Sequence, residues 1–251
     1  LNKSEHFELI ELGAGDGTKT QHLLKALSDE GYQYDFIPID ISKNALDLLK
    51  KSLSKELPQV SCKPKHGDYF DILDSFKDSH HPKVVLFLGS NIGNMDDKTA
   101  TEFIYNLGKS LSAGDKLLIG ADLVKPAEII KPAYDDEHGI TAKFNLNLLH
   151  RINQELDGNF KLSGFNHLCE YTEEEGIAKS FLVSLHDQIV EIKANGTSYH
   201  FTKGERIHTE ISRKYNDDII NAILSKTDFE IIGKTSDSRN YFSDYIFNKK
   251  R

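Results

Sequence analysis

Short apolar runs alternate with amphipathic stretches along the first half of the chain. FELIEL (7–12), YDFIPID (34–40), PKVVLFLG (82–89) and KLLIGADL (116–123) combine β-branched, aliphatic and aromatic residues. Runs of this length and composition predict strands. Between them, TKTQHLLKAL (18–27) sets Leu23, Leu24 and Leu27 on one face. KNALDLLKKSL (43–53) follows Ser42, a suitable helix cap, and ATEFIYNLGKSL (100–111) is amphipathic. These three predict helices. QVSCKPKHGDYF (59–70) predicts a third, less regular strand unit. Strands alternating with helices at this spacing form βαβ units, so an α/β fold with a parallel sheet covered on both faces is expected.

The rhythm changes after Lys125-Pro126. A loop containing AYDDEHG is expected first, then a long helix over 140–156 and strands at 178–187 and 188–194. This is α+β material. The βα rhythm returns with a helix at 216–227, a strand at 229–237 and a closing strand at 241–249, the last two suited to an edge hairpin. The expected organisation is therefore one domain, 1–125 plus 213–251, carrying an inserted subdomain over 126–212.

At 251 residues the chain is long enough to bury a full core. Its formal charge of -8 argues against a nucleic-acid surface, which is normally basic. Cys62 and Cys169 lie far apart with no CxxC pattern, which disfavours a disulfide scaffold or a zinc site and favours a reducing cytoplasm. The eleven histidines show no metal-type pairing. No apolar run approaches the roughly 18 residues of a membrane span, and LNKSEHF (1–7) is not a signal peptide. A monomer acting on a small molecule, with no nucleic acid, membrane or metal, is the expectation.

ELGAGDGTKT puts Gly13, Gly15 and Gly17 directly between a strand and a helix. Glycine permits positive φ and close backbone approach, and the following helix N-terminus offers free N–H groups. The dinucleotide fingerprint GxGxxG would need glycine where Thr18 stands. The loop resembles instead the E/D-x-G-x-G-x-G loop of S-adenosylmethionine methyltransferases. Alone it is equally compatible with a tight turn. Asp40 ends the second strand, where a carboxylate can accept from both hydroxyls of a ribose, and Gly67-Asp68-Tyr69 follows the third. Three such features in order, each at a strand's carboxyl end, mark the ligand-binding edge of an open α/β sheet.

ELGAGDGTKT, FIPIDIS, HGDYF, VVLFLGSNIGN, ADLVKP, AYDDEHGITAKFN and ERIHTEISRKY run in order over nearly the whole chain. In these motifs the sequence resembles the histidine-specific methyltransferase-like family, which includes L-histidine Nα-methyltransferases of ergothioneine biosynthesis. The resemblance implies a Rossmann-like class I methyltransferase sheet with S-adenosyl-L-methionine as cofactor and a substrate-binding insertion. It implies that Gly13, Gly15 and Lys19 meet the cofactor's methionyl end, Asp40 its ribose, and Asp68 and Tyr69 its adenine. Gly89 borders cofactor and substrate. Asn94 and Tyr134 are the implied catalytic pair, binding the substrate's α-amino and carboxylate groups, while Glu210 and Ser212 hold an imidazole. The family also carries a helical segment ahead of the glycine loop, so the numbered chain is expected to lack an N-terminal piece of the natural protein.

Those roles agree with elementary chemistry. Methyl transfer from a sulfonium needs an unprotonated amine, correct placement and exclusion of water. Asn94 can hold an amine through its side-chain carbonyl without keeping it charged. Glu210 suits an imidazole N–H, and Ser212 can donate to or accept from the other nitrogen. Other readings of the same residues stand beside these: Tyr134 as a loop aromatic, Glu210 and Ser212 as a solvated strand face, Lys19 as a surface lysine. A tryptophan derivative is the competing substrate, a methyltransferase-like binding module the competing class. An NAD(P)-dependent oxidoreductase is disfavoured by Thr18 and by the lack of a Tyr-x₃-Lys pair.

Overall fold

A computed structural model describes residues 2–77 and 79–250. The elements run β1 (Phe7–Leu12), α1 (Thr20–Asp29), β2 (Tyr34–Asp40), α2 (Lys43–Glu56), β3 (Ser61–Cys62), β4 (Lys65–His66), α3 (Tyr69–Asp74), β5 (Lys83–Phe87), α4 (Asp97–Lys109) and β6 (Lys116–Asp122). Then come α5 (Ala127–Tyr134), α6 (Ile140–Leu156), β7 (Phe165–Glu170), β8 (Ile177–Ser184), β9 (Gln188–Ile192), β10 (Thr197–Phe201) and β11 (Arg206–Arg213). α7 (Asp217–Leu224), β12 (Phe229–Ser236) and β13 (Phe242–Lys249) close the chain. Two compact units result, Leu1–Leu123 with Asn216–Arg251, and Val124–Tyr215.

The first unit is built on a sheet of order β12-β13-β6-β5-β1-β2-β3, with β4 also paired to β2. β1 is parallel to both β2 and β5, and β5 to β6, whereas β13 and β12 join antiparallel as the edge hairpin. Successive connections leave β1 in opposite directions, toward β2 on one side and β5 on the other. The switch point therefore lies between β1 and β5, where a crevice opens beyond the strand ends. Leu9, Phe36, Leu24 and Leu49 pack from strands and helices into one core cluster. Each such side chain contributes about 1.5 to 3 kcal/mol when removed from water.

Two expectations need correction. The third strand unit is broken into β3 and β4, because Pro64 between them has no N–H for the ladder. The expected unit's last two residues, Tyr69 and Phe70, instead open helix α3, with Asp68 as its cap accepting from Phe70 N–H at 2.9 Å. The loop expected after Pro126 is largely helix α5, with Pro132 inside it. Pro126 stands just before the first turn, where its fixed φ favours helix entry. Ile130 then buries against Tyr171 and Ala178.

The second unit pairs β11-β8-β7 in one antiparallel sheet and β10-β9 in a hairpin. Leu149 from α6 packs with Phe160, Phe165, Leu182 and Val190. Its entry and exit are joined, since Val124 N–H donates to the Tyr215 carbonyl at 2.9 Å.

One glycine is fixed by packing as well as by φ. Gly17 has φ +68, and a Cβ there would stand 2.1 Å from Leu49 Cδ1 in the core. Left-handed backbone costs an L-residue about 1 to 2 kcal/mol, and overpacking about 1 to 3 kcal/mol. Gly17→Ala is therefore expected to lose about 2 to 5 kcal/mol of stability, read as a melting temperature lower by about 5 to 15 °C. A drop of less than about 2 °C would contradict this account.

Candidate active site

The crevice of the first unit is lined by the turns after β1 and β5, and the end of β2 is hydrogen-bonded to the first of them. Gly13, Gly15 and Gly17 all have positive φ, so the chain after β1 bends back on itself as only glycine does cheaply. Gly13 N–H donates to the Ile39 carbonyl at 2.8 Å, joining this loop to β2. Asp40 completes the connection, its carboxylate accepting from Gly15 N–H at 3.1 Å and from Ser42 N–H at 2.8 Å. A carboxylate has about four acceptor sites, so Asp40 keeps capacity for two further donors such as ribose hydroxyls.

A Cβ on Gly13 would lie 2.8 Å from Tyr69 Oη and 3.4 Å from Asn91 Nδ2. The loop backbone thus passes directly beside both side chains. Burial, with the negative charges of Asp40 and Asp68, pushes the Tyr69 phenol above its usual range, so it stays a protonated donor. Asp68 caps α3 and is exposed. Lys19 is exposed at the start of α1 and borders the crevice.

The crevice, about 430 Å³ in volume, is also lined by Glu11, Gly89 and Asn91. Glu11 is 4% exposed. One of its carboxylate oxygens accepts from Thr20 Oγ1 at 2.5 Å, and the other is buried with no hydrogen-bond partner. Burial pushes its pKa up to about 7, a rise only partly offset by Thr20. A buried, half-satisfied carboxylate in a crevice calls for a cation.

Beyond β5 the chain turns through Gly89 (φ 72) and Ser90 (φ 61). Ser90 Oγ accepts from Asp122 N–H at 3.1 Å, pinning the turn to the end of β6. Asn91–Asn94 then form one 3-10 turn in which Ile92 and Gly93 are buried. Asn91 is half-buried and Asn94 exposed. The turn is made by Gly89 and Ser90, with Gly93 inside the helical turn that follows. The first unit therefore gathers Gly13, Gly15, Asp40, Tyr69 and Gly89 around one set of strand ends, with Lys19 at the rim. Asn94 stands three residues beyond Asn91 and, like Gly15, Asp40, Asp68 and Tyr69, is not among the residues lining the crevice itself. Glu11 and Asn91 lay within the motifs of the sequence but were not singled out.

In the second unit, β8 buries Ala178, Ser180, Leu182 and Ser184 in strict alternation. β11 pairs Ile207 with Leu182, Glu210 with Ser180 and Ser212 with Ala178, after a register shift between His208 and Glu210. Directly paired residues share a face, so Glu210 and Ser212 lie on the covered side of this sheet, and both are half-buried. The bulge makes this possible, because without the extra residue Glu210 would fall on the opposite face from Ile207's partner row. Thr209, in the bulge, donates to Asn145 Oδ1 of α6 at 2.5 Å and to the Ser180 carbonyl at 3.0 Å.

Tyr134 is the last residue of α5. Its hydroxyl donates to Ser212 Oγ at 2.7 Å. Lys214, just beyond β11 and unremarked in the sequence, donates to Tyr134 Oη at 2.6 Å and to Ser212 Oγ at 2.8 Å. Tyr134 and Ser212 are thus bonded directly and also bridged by Lys214, with Glu210 two positions along the same strand face.

Sheet order, switch-point crevice and positive-φ glycine loop together define an S-adenosylmethionine-dependent methyltransferase. The residues present fit that cofactor: Glu11 offers one unpartnered carboxylate oxygen to a cationic amino-acid end, and Asp40 has free acceptor capacity. Residues 1–249 match the family described as histidine-specific methyltransferase, SAM-dependent. The chain is 34% identical over 218 residues to a histidine N-alpha-methyltransferase of Mycolicibacterium smegmatis, covering 87% of this chain and 68% of the relative. It is 28% identical over 252 residues to ergothioneine biosynthesis protein 1 of Schizosaccharomyces pombe, covering 96% of this chain and 32% of that protein. In fold it is similar to a SAM-dependent methyltransferase from Methanosarcina mazei, with TM-score 0.54, 16% identity and coverage of 100% and 94%. The chain belongs to the histidine-specific, S-adenosylmethionine-dependent methyltransferase family.

Proposed function

We propose that this protein methylates the α-amino nitrogen of free L-histidine, through successive transfers, to the trimethyl betaine. The observation that carries the reading is the position of Glu210 and Ser212 on the covered face of β11, with the Tyr134 hydroxyl bonded to Ser212. A polar pair on a covered face suits an imidazole, which offers one N–H and one lone pair. An indole, with one N–H and no ring lone pair to accept with, would call for apolar or aromatic side chains there.

When bound, S-adenosylmethionine supplies an electrophilic methyl group on a sulfonium, which departs as a neutral thioether. The protein's part is to bind, orient and desolvate. In this reading Glu11 and Lys19 hold the cofactor's charged methionyl end, with the loop of Gly13 and Gly15 beneath it. Asp40 takes the ribose, and Asp68 and Tyr69 the adenine, while Gly89 leaves room for both ligands. Asn94 accepts a hydrogen bond from the substrate amine, which must shed a proton before its lone pair can form the new N–C bond. Tyr134 donates to the carboxylate, Glu210 accepts from the imidazole N–H and Ser212 donates to the second ring nitrogen. The insertion, in this reading, is the substrate-binding subdomain.

The same reading describes a cytoplasmic monomer acting on a small molecule, without nucleic acid or membrane. The charge of -8 supports the exclusion of nucleic acid, and the free thiols of Cys62 and Cys169 support a reducing compartment.

The test is incubation with S-adenosylmethionine and either histidine or tryptophan, with mass spectrometry resolving one, two and three added methyl groups. Histidine is expected to acquire three and tryptophan none. Glu210→Ala should lower kcat/KM for histidine by about 10- to 100-fold, the loss of one hydrogen bond to a charged acceptor. Equal turnover of histidine and tryptophan, or unchanged histidine turnover in Glu210→Ala, would overturn the substrate assignment.

A further inference from the structure

Tyr134 and Ser212 present a proton-counting problem. Their oxygens lie 2.7 Å apart with one hydroxyl proton between them. In the reaction proposed above, both protons are required elsewhere, that of Tyr134 on the substrate carboxylate and that of Ser212 on an imidazole lone pair. Once both have turned outward, two oxygens face each other with lone pairs only, at hydrogen-bond distance. Such a pair repels and separates unless a third group donates to both.

Lys214 is placed to do this. Its Nζ is 2.6 Å from Tyr134 Oη and 2.8 Å from Ser212 Oγ. An ammonium has three donors and no acceptor, so it bonds both oxygens whichever way their own protons point. The side chain is held in place: Lys214 is 1% exposed, and its backbone N–H donates to the Gly176 carbonyl at 2.7 Å. Nζ also lies 4.8 Å from the centroid of the Tyr134 ring, against the aromatic face. A hydroxyl that accepts from an ammonium is itself a stronger donor, because hydrogen bonds in a chain polarise one another.

We propose that Lys214 is a positioning residue of the amino-acid pocket, holding the Tyr134 and Ser212 oxygens so that both hydroxyls donate to substrate at once. The pocket then selects molecules presenting two acceptors together, a free carboxylate and an imidazole lone pair. Histidine has both. Histamine, lacking the carboxylate, needs only one outward proton and leaves the Tyr134–Ser212 hydrogen bond intact. The proposal rests on the histidine reading of this site.

The experiment compares Lys214→Met with the unsubstituted protein in three measurements: kcat and KM for histidine, the inhibition constant of histamine against histidine, and S-adenosylmethionine binding by calorimetry. KM for histidine is expected to rise about 10- to 100-fold, as for loss of one charge-assisted hydrogen bond. kcat should fall less, histamine affinity should change by less than about threefold, and cofactor affinity should hold. Lys214→Gln, which keeps a donor of similar reach, should recover part of the KM and is read alone if Lys214→Met does not fold. Equal loss for histidine and histamine, or an unchanged KM, overturns the inference while leaving the histidine reading intact. Failure of the unsubstituted protein to methylate histidine overturns both.

Discussion

Raising the pH from about 5 to about 8 is expected to destabilise the ligand-free protein relative to its Glu11→Gln variant, by up to about 3 kcal/mol. The sign follows from the protons bound. Burial raises the folded-state pKa of Glu11 to about 7 from an ordinary value of 4.5. Between those values the folded chain keeps a proton that the unfolded chain has released, so stability falls as pH rises and the penalty is complete above the folded value. Below the ordinary carboxylate range both states are protonated and the penalty vanishes. A glutamine does not titrate, so the gap between the two melting curves isolates this one group. The amide adds a constant cost of its own, since one of its polar atoms is buried without a partner. The slope of the difference with pH, and not its offset, is therefore diagnostic.

S-adenosylmethionine should reverse the penalty. Its cationic amino-acid end is a partner for the ionised carboxylate, so binding should tighten by about tenfold as pH rises from about 6 to about 7.5. Glu11→Gln should bind it about 100-fold more weakly and with no such dependence, since a charge-paired contact in a water-poor crevice is lost. Thermal melts and calorimetric titrations of both proteins across this range read both effects. Parallel melting curves, or equal affinity for the cofactor, would show that Glu11 is not the cation's partner.

The sequence made this site only half visible, and the division follows physical lines. Strands β1, β2, β5 and β6 were legible because each is a short apolar run closed by a turn residue, and burial on both faces requires such runs. The glycine loop and Asp40 were legible because their chemistry depends on backbone freedom and a strand end, both local properties. α5 was not, because Pro126 and Pro132 read locally as breakers, whereas Ile130 anchors the helix to Tyr171 and Ala178 far along the chain. The face of β11 was not legible either. Glu210 and Ser212 fit a solvated strand as well as a covered one by alternation alone, and only the bulge at Thr209, held by Asn145, sets the register. Lys214 was the least visible, since a lysine is usually solvated and nothing in RKY marks it as buried. Its role depends on two hydroxyls, one of them eighty residues upstream in sequence.

Asn94→Asp is the substitution expected to separate binding from chemistry most sharply. Asn94 is the exposed last residue of the 3-10 turn that follows Ser90, and just beyond it Asp96 caps α4, accepting from Thr99 N–H at 2.7 Å. The exchange replaces one amide nitrogen by oxygen and leaves that turn unchanged. A carboxylate beside the substrate amine favours its ammonium form, raising the amine's pKa by about 1 to 2 units. The ammonium has no lone pair to give. KM for histidine should therefore hold or fall, while kcat at neutral pH drops by about 10- to 100-fold, in step with the smaller fraction of free amine. Activity should recover at higher pH, with the alkaline rise of the rate profile displaced upward by the same 1 to 2 units or so. Asn94→Ala separates the remaining contribution: it should lower kcat/KM by a similar factor with no displacement of the profile, since a contact is lost and no charge is gained. A profile that stays in place for Asn94→Asp, with kcat undiminished, would mean that the amine is held elsewhere.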